Sequence, residues 1–358
     1  MRALLQRLAD DTLAAHPEMP GVLLHVLGGG IDLEVAAGIS DRATGDPLQP
    51  GSRFRIASVT KPFVAAAALR LHEDGELDLD QPIEKLVEGE TVSMLRDGGY
   101  RPDAITTRHL LTHTSGVYDF AGDAYGPPTP DGFVAACMAD PGHRWTRLEQ
   151  LRFAIDHGKP YGEPGAVFCY SDTGANLVGE ILERATGRSM GAAIRELVGF
   201  ERLGLRHTYH ESVEPEPDDL PPIAHQYEGD FDVWRYDPSV DLWGGGGLVS
   251  TGADLAAFFR ALLRDEIFHE PATLATMCTL PGRPPVAPAD AVEAATTGMF
   301  LTRRETELHV SWGHGGYWGT MVASSPELDL TVVAQVGQSD TSVGFRKSQI
   351  VDAVVELL

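Results

Sequence analysis

The chain has 358 residues, enough to bury a sizeable core in one large domain or two lobes. Its 43% hydrophobic and 22% charged content excludes a disordered or fibrous protein. A formal net charge of -24 argues against nucleic acid and anionic membrane as partners, because both are polyanions.

Residues 1–17 read as an amphipathic helix carrying Leu4, Leu5, Leu8 and Leu13. The stretch lacks the continuous apolar run of a signal peptide, and no later run is long and apolar enough to span a bilayer. Cys137, Cys169 and Cys278 are an odd number without metal-ligand spacing, which predicts neither a disulfide framework nor a metal centre. A reduced, cytoplasmic protein is the expectation.

Two β-prone runs, 22–27 and 33–37, are joined by Gly28-Gly29-Gly30-Ile31-Asp32. This is hairpin punctuation rather than a phosphate loop, since no G-x-G-x-x-G pattern opens a helix there. Gly45-Asp46-Pro47 predicts a turn leading to Phe54-Arg55-Ile56.

Ser58-Val59-Thr60-Lys61 follows, at the head of the apolar run 62–71. If a helix starts near Ser58, residues three apart share a face, and the hydroxyl and amine come within hydrogen-bond reach as a nucleophile beside its base. The alternative is a serine cap and a solvated lysine. Against it, a cation in the first turn sits at the positive end of the helix dipole, where stability favours carboxylates. Dipole and burial would together favour the neutral amine that can accept a proton. The helix is apolar nearly all round, hence buried, and ends at Glu73-Asp74-Gly75.

Residues 106–116 predict a short helix capped by threonine and stopped at Gly116. His113, at its end, reads as a structural histidine holding backbone, with a catalytic base as the alternative. The segment 118–164, including Gly126-Pro127-Pro128-Thr129-Pro130, reads as loops around helices. Residues 164–172 then feed a helix over 173–186, with Asp172 as cap and Tyr170 projecting just before it. Cys169 would point away from that site as a buried free thiol.

A helix over 189–198 precedes the acidic, proline-rich surface loop 214–222. The four glycines 244–247 let the backbone pass close to packed neighbours or to a ligand, before a helix over 254–263. Strands over 307–312, 320–324 and 330–336 should pair antiparallel, and residues 343–358 finish as a helix. Arg303 and Arg304 read as surface arginines, with an anchor for an anionic substrate group as the alternative.

Strands at both ends of the chain and helices between them predict a single α+β domain over 1–358. An antiparallel sheet from about 1–57 and 291–358 would be flanked by the terminal helices, with a mainly helical lobe over about 58–290 and the site at the junction.

Ser58-Val59-Thr60-Lys61, Tyr170-Ser171-Asp172 and His314-Gly315-Gly316 together resemble the serine β-lactamase and penicillin-binding-protein superfamily. The match is closest to its branch of class C β-lactamases, D-alanyl-D-alanine carboxypeptidases and esterases. Leu110-Leu111-Thr112-His113-Thr114-Ser115-Gly116 and Gly246-Gly247-Leu248-Val249-Ser250-Thr251 are similar to that branch too, in the same order. The resemblance implies a β-lactamase/transpeptidase-like fold and an acyl-enzyme on Ser58, with Lys61 and Tyr170 sharing proton transfer as a coupled pair. It also implies that His314-Gly315-Gly316-Tyr317 is the edge segment facing substrate, with the N–H groups of Ser58 and Tyr317 as the oxyanion hole. On its residues alone, that segment reads equally as a tight turn.

Two departures narrow the activity. Penicillin-processing relatives usually carry lysine at the position of His314, and a histidine is mostly neutral at pH 7, so strong β-lactamase activity is not expected. They usually carry asparagine at the position of Asp172, which cannot donate an amide hydrogen bond and would instead pair with Lys61 or receive a cationic amine. The expected activity is hydrolysis of a small ester or amide without a cofactor, esterase favoured. A D-amino-acid amidase or peptidase and an acyltransferase would use the same acyl-enzyme, and a non-catalytic binding protein is the reading from another class.

Overall fold

The computed structural model describes residues 1–122, 131–287, 291–307, 309–339 and 347–358. The proline-rich stretch 126–130 and the first residues of the helix expected over 343–358 lie outside the described residues. In chain order, α1 (Arg2–Ala15) leads to β1 (Gly21–Gly28), β2 (Ile31–Gly38) and β3 (Arg53–Arg55), then through a 3-10 turn to α2 (Lys61–Glu73). The middle of the chain carries α3 (Gly89–Asp97), α4 (Thr107–Leu111), α5 (Phe133–Ala139), α6 (Arg147–His157), α7 (Asp172–Thr186), α8 (Met190–Val198) and α9 (Phe200–Leu203). Short strands β4 (Tyr209–His210), β5 (Tyr227–Glu228), β6 (Phe231–Asp232) and β7 (Leu248–Thr251) come next, before α10 (Gly252–Leu263), α11 (Pro271–Met277) and α12 (Ala291–Thr296). The chain closes with β8 (Thr302–Glu305), β9 (Val310–Gly316), β10 (Thr320–Ser325), β11 (Leu330–Gln335) and α13 (Ser348–Leu357).

The two ends of the chain build one antiparallel sheet in the order β2-β1-β11-β10-β9-β8. Gly29 and Gly30, both at positive φ, form the two-residue turn of the β1–β2 hairpin, a conformation glycine adopts without strain. Alternation along β1 divides its side chains between two cores. Val22, Leu24 and Val26 pack with Leu5 of α1 and with Ile350, Val351 and Val354 of α13. Leu23 points the other way, into a cluster that includes Phe63 and Val64 of α2 and Phe258 and Phe259 of α10. The sheet therefore shares a core with the helical lobe. At its centre, Phe63 stacks on Phe258 with ring centroids 3.5 Å apart.

Two expectations are corrected. A single strand over 307–312 is replaced by two: β8 ends at Glu305, and β9 runs from Val310 through His314 to Gly316. Thr302-Arg303-Arg304-Glu305 has no apolar alternation, so nothing in its pattern announces a strand. A second, small sheet in the order β3-β7-β4 takes β7 and β4 from the stretch expected to be mainly helical and β3 from the stretch before it, and its strands of two to four residues are too short to show a period.

Candidate active site

Ala57 has φ of 47°, a left-handed conformation uncommon for a residue with a side chain. It turns the chain out of β3 into the 3-10 turn Ala57–Thr60, and α2 begins only at Lys61. The helix expected from Ser58 thus forms in two pieces. In the tighter first piece side chains three apart nearly eclipse, which brings Ser58 and Lys61 together. The Lys61 amine donates to Ser58 Oγ at 2.8 Å and to the Gly245 carbonyl at 2.8 Å, and it forms an ion pair with Asp172. Lys61 is fully buried, so these three acceptors replace the water it has lost.

Tyr170 completes the cluster, its hydroxyl donating to Ser58 Oγ at 2.9 Å. Its ring lies on His113, with centroids 4.4 Å apart, and 5.0 Å from the Lys61 amine. His113 clamps the segment that carries Tyr170: the Ser171 N–H donates to its Nδ1 at 3.1 Å, and the Cys169 N–H donates to its carbonyl at 2.8 Å. Burial, and then the nearby charge of Lys61, lower its pKa well below that of an ordinary histidine. It is a neutral, structural residue. Cys169 is buried and in no disulfide, and its thiol donates to the Tyr170 carbonyl at 3.5 Å.

The cap of α7 is Ser171 rather than Asp172, since the Gly174 N–H donates to Ser171 Oγ at 3.0 Å. Asp172 is the first helical residue, and its side chain turns toward Lys61 instead of back onto the helix. Its own N–H donates to Asp119 Oδ1 at 3.2 Å. Burial, and then the charge of Asp172, push the Asp119 carboxyl well above the usual carboxylate range.

The third segment ends β9. Strand β8 pairs β9 only as far as Gly313, so from His314 to Gly316 the pairing is with β10 on one side. A Cβ on Gly316 would lie 2.4 Å from the Ile56 carbonyl, so glycine here lets the strand end close against the turn that carries Ser58. His314 is buried, with Nδ1 2.6 Å from the Gly315 carbonyl. A carbonyl only accepts, so Nδ1 carries the proton. Burial, followed by the charge of Lys61, lowers its pKa to about 3, and the ring is neutral at pH 7. Tyr317 follows at the β9–β10 turn and donates its hydroxyl to Glu228 Oε1 at 2.8 Å.

Three residues near the cluster carry no signal in the sequence. Lys347, just before α13, donates its amine to the Gly316 carbonyl at 2.6 Å. Asp119 is described above. Asp241, at the end of the 3-10 turn Pro238–Asp241, explains the glycine run. A Cβ on Gly246 would lie 2.0 Å from Asp241 Oδ2, one on Gly245 2.8 Å from Asp172 Oδ1, and one on Gly244 2.3 Å from the Ala175 carbonyl. The glycines make room for packed neighbours, two of them carboxylates. Arg303 and Arg304 sit on β8 in ion pairs with Glu305 and Asp352.

Ser58, Asp172 and Asp241 line one cavity of about 80 Å³ whose walls are mainly apolar, among them Phe120, Phe133 and Trp318. Among the described residues, no group of three His, Cys, Asp or Glu side chains is placed to hold a metal ion, and no helix is long and apolar enough to cross a membrane.

A family model described as Beta-lactamase matches residues 9–354. Esterase EstB of Burkholderia gladioli is 34% identical over 227 residues, 60% of this chain and 53% of that protein. Penicillin-binding protein 4 of Amycolatopsis lactamdurans is 30% identical over 268 residues, 72% of this chain and 63% of that protein. The chain thus spans between half and two thirds of the length of these curated relatives. A D-stereospecific amidohydrolase from Streptomyces sp. superposes with a TM-score of 0.81 at 25% identity, over 99% of this chain and 98% of that one.

Proposed function

Since the chain belongs to the Beta-lactamase family, we propose that it is a serine hydrolase that cleaves a small ester or amide through an acyl-enzyme on Ser58. The observation that carries this is the convergence on Ser58 Oγ of the Lys61 amine at 2.8 Å and the Tyr170 hydroxyl at 2.9 Å. Lys61 is also engaged by Gly245 and Asp172, so its part is that of a fixed cation beside the reacting oxygen. Tyr170 is then the proton acceptor. Tyr170 acts in this step as the phenolate, which the Lys61 charge beside it favours: as Ser58 Oγ attacks the acyl carbonyl its proton passes to Tyr170 Oη, and Tyr170 then gives that proton to the leaving oxygen or nitrogen and returns to phenolate. The same groups run in reverse when water attacks the acyl-enzyme.

The N–H groups of Ser58 and Tyr317 serve as the oxyanion hole, a role supported by the close packing of Gly316 against Ile56. His314-Gly315-Gly316 is the strand end along which substrate lies. A neutral His314 offers no cation to a substrate carboxylate, which favours esters and amides over penicillins. We place the whole reaction in one domain, where the sheet meets the helical lobe.

Esterase activity is favoured by the apolar walls beside Ser58 and by the likeness to Esterase EstB. Transfer of the acyl group to an alcohol or amine would use the same intermediate. The test is steady-state hydrolysis of p-nitrophenyl acetate and butyrate, with and without a competing alcohol, by the native protein and Ser58→Ala. Turnover that disappears in Ser58→Ala is expected, and the alcohol divides products between acid and ester. Turnover that persists in Ser58→Ala contradicts the proposal.

A further inference from the structure

Asp241 is a carboxylate without a counter-ion at a site that has a use for one. Among the described residues no hydrogen bond or ion pair reaches its side chain, whereas of the two other carboxylates that line the cavity Asp172 is paired with Lys61 and Glu228 accepts from the Tyr317 hydroxyl. Its place is fixed by a buried amide network. Gln150 donates from Nε2 to the Ser239 and Val240 carbonyls at 3.1 Å each, which holds the turn that ends in Asp241. Asn176 donates to Gln150 Oε1 at 2.7 Å and accepts from the Gly245 N–H at 3.1 Å. Gly245 in turn offers its carbonyl to Lys61. The carboxylate of Asp241 is therefore held in register with the catalytic lysine, and Gly246 is left without a side chain to accommodate it.

The surroundings point to what such a group receives. The cavity it shares with Ser58 is walled mainly by apolar and aromatic side chains, where an unpaired carboxylate is costly and a cation that enters is strongly attracted. Phe120, Phe133 and Trp318 are among the lining residues, and aromatic side chains accept an apolar group and tolerate a cation nearby. Burial and the charge of Asp172 already push the Asp241 carboxyl up to about 7, which an ammonium at this position would reverse.

We propose that Asp241 receives the ammonium of the substrate's acyl half, so that the site selects esters or amides of small apolar amino acids over those of simple carboxylic acids. The inference rests on Ser58 as the acylated nucleophile. No extra reactant is involved: Asp241 orients the acyl group, and Ser58 forms and later loses the acyl bond as described above.

The test compares alanine p-nitroanilide with propionic acid p-nitroanilide, which differ by the amine, in the native protein and in Asp241→Asn. Native kcat/KM should favour the amine-bearing substrate by at least about tenfold, in line with a hydrogen bond to a charged group. In Asp241→Asn that ratio should fall by about tenfold or more, mostly through KM. Labelling of Ser58 by a fluorophosphonate, read by intact mass, reports whether each protein has an intact nucleophile. If the native protein labels but shows no preference for the amine, or if the ratio is unchanged in a labelled Asp241→Asn, the role of Asp241 is overturned. If the native protein does not label, it is the acyl-enzyme reading that fails.

Discussion

Replacing Asp241 by asparagine removes a confined charge while keeping the shape of the side chain, and its effect on stability depends on pH. Burial, and then Asp172, push the carboxyl up to about 7 from an ordinary 3.8, against the opposing pull of Lys61 and Arg55. An acid whose pKa is higher in the folded than in the unfolded chain carries no penalty below the lower value. The penalty grows as pH climbs between the two values and is constant above the upper one. At about 1.4 kcal/mol per pH unit, this destabilises the native fold by up to roughly 2 kcal/mol at pH 5 and roughly 4 kcal/mol at pH 8. Asp241→Asn is expected to be more stable than the native chain, by a margin that widens by about 2 kcal/mol from pH 5 to pH 8. For a chain of this length that is a Tm advantage growing by about 3 °C. Thermal unfolding followed by near-UV circular dichroism at the two pH values measures it. An advantage of equal size at both, or one larger at pH 5, would refute the assignment of a confined, titrating carboxylate to Asp241.

Tyr170→Phe keeps the ring on His113 and removes the bond to Ser58 Oγ. It should lower kcat by about 10²- to 10⁴-fold with little change in Tm, checked by ester hydrolysis beside a melting curve. Phe63 is fully buried and stacked on Phe258, so Phe63→Ala should cost about 3–5 kcal/mol in a denaturant titration. A Cβ at position 246 would lie 2.0 Å from Asp241 Oδ2, and Gly246→Ala should destabilise by about 1–3 kcal/mol in the same titration.

The sheet was legible because β1 and β11 are short, nearly continuous apolar runs bounded by turn residues and the first hairpin carries Gly29-Gly30, and α2 because eleven successive residues from Lys61 to Leu71 are buried. Ser58, Lys61 and Tyr170 were legible because residue type and order together leave few readings, and the structure brings all three to one oxygen. His113 read as structural from its place at a helix end, and its ring nitrogen does hold the Ser171 N–H. The cap at Asp172 misled because two adjacent residues both favour capping, and only the neighbourhood of Lys61 decides which one turns away. β8 was missed because four polar residues carry no pattern, and Asp241 because a lone acid in a loop acquires meaning only from the cavity it meets. The glycines before β7 announced a close approach without saying to what.

The central claim is that Ser58 carries the acyl group, and intact-mass analysis after incubation with a fluorophosphonate and, separately, with a penicillin tests it most directly. One fluorophosphonate adduct is expected on the native protein, none on Ser58→Ala, and little or no lasting penicillin adduct because His314 is neutral. A native protein that gains no mass from either reagent, or a Ser58→Ala protein that gains as much as the native, would contradict it.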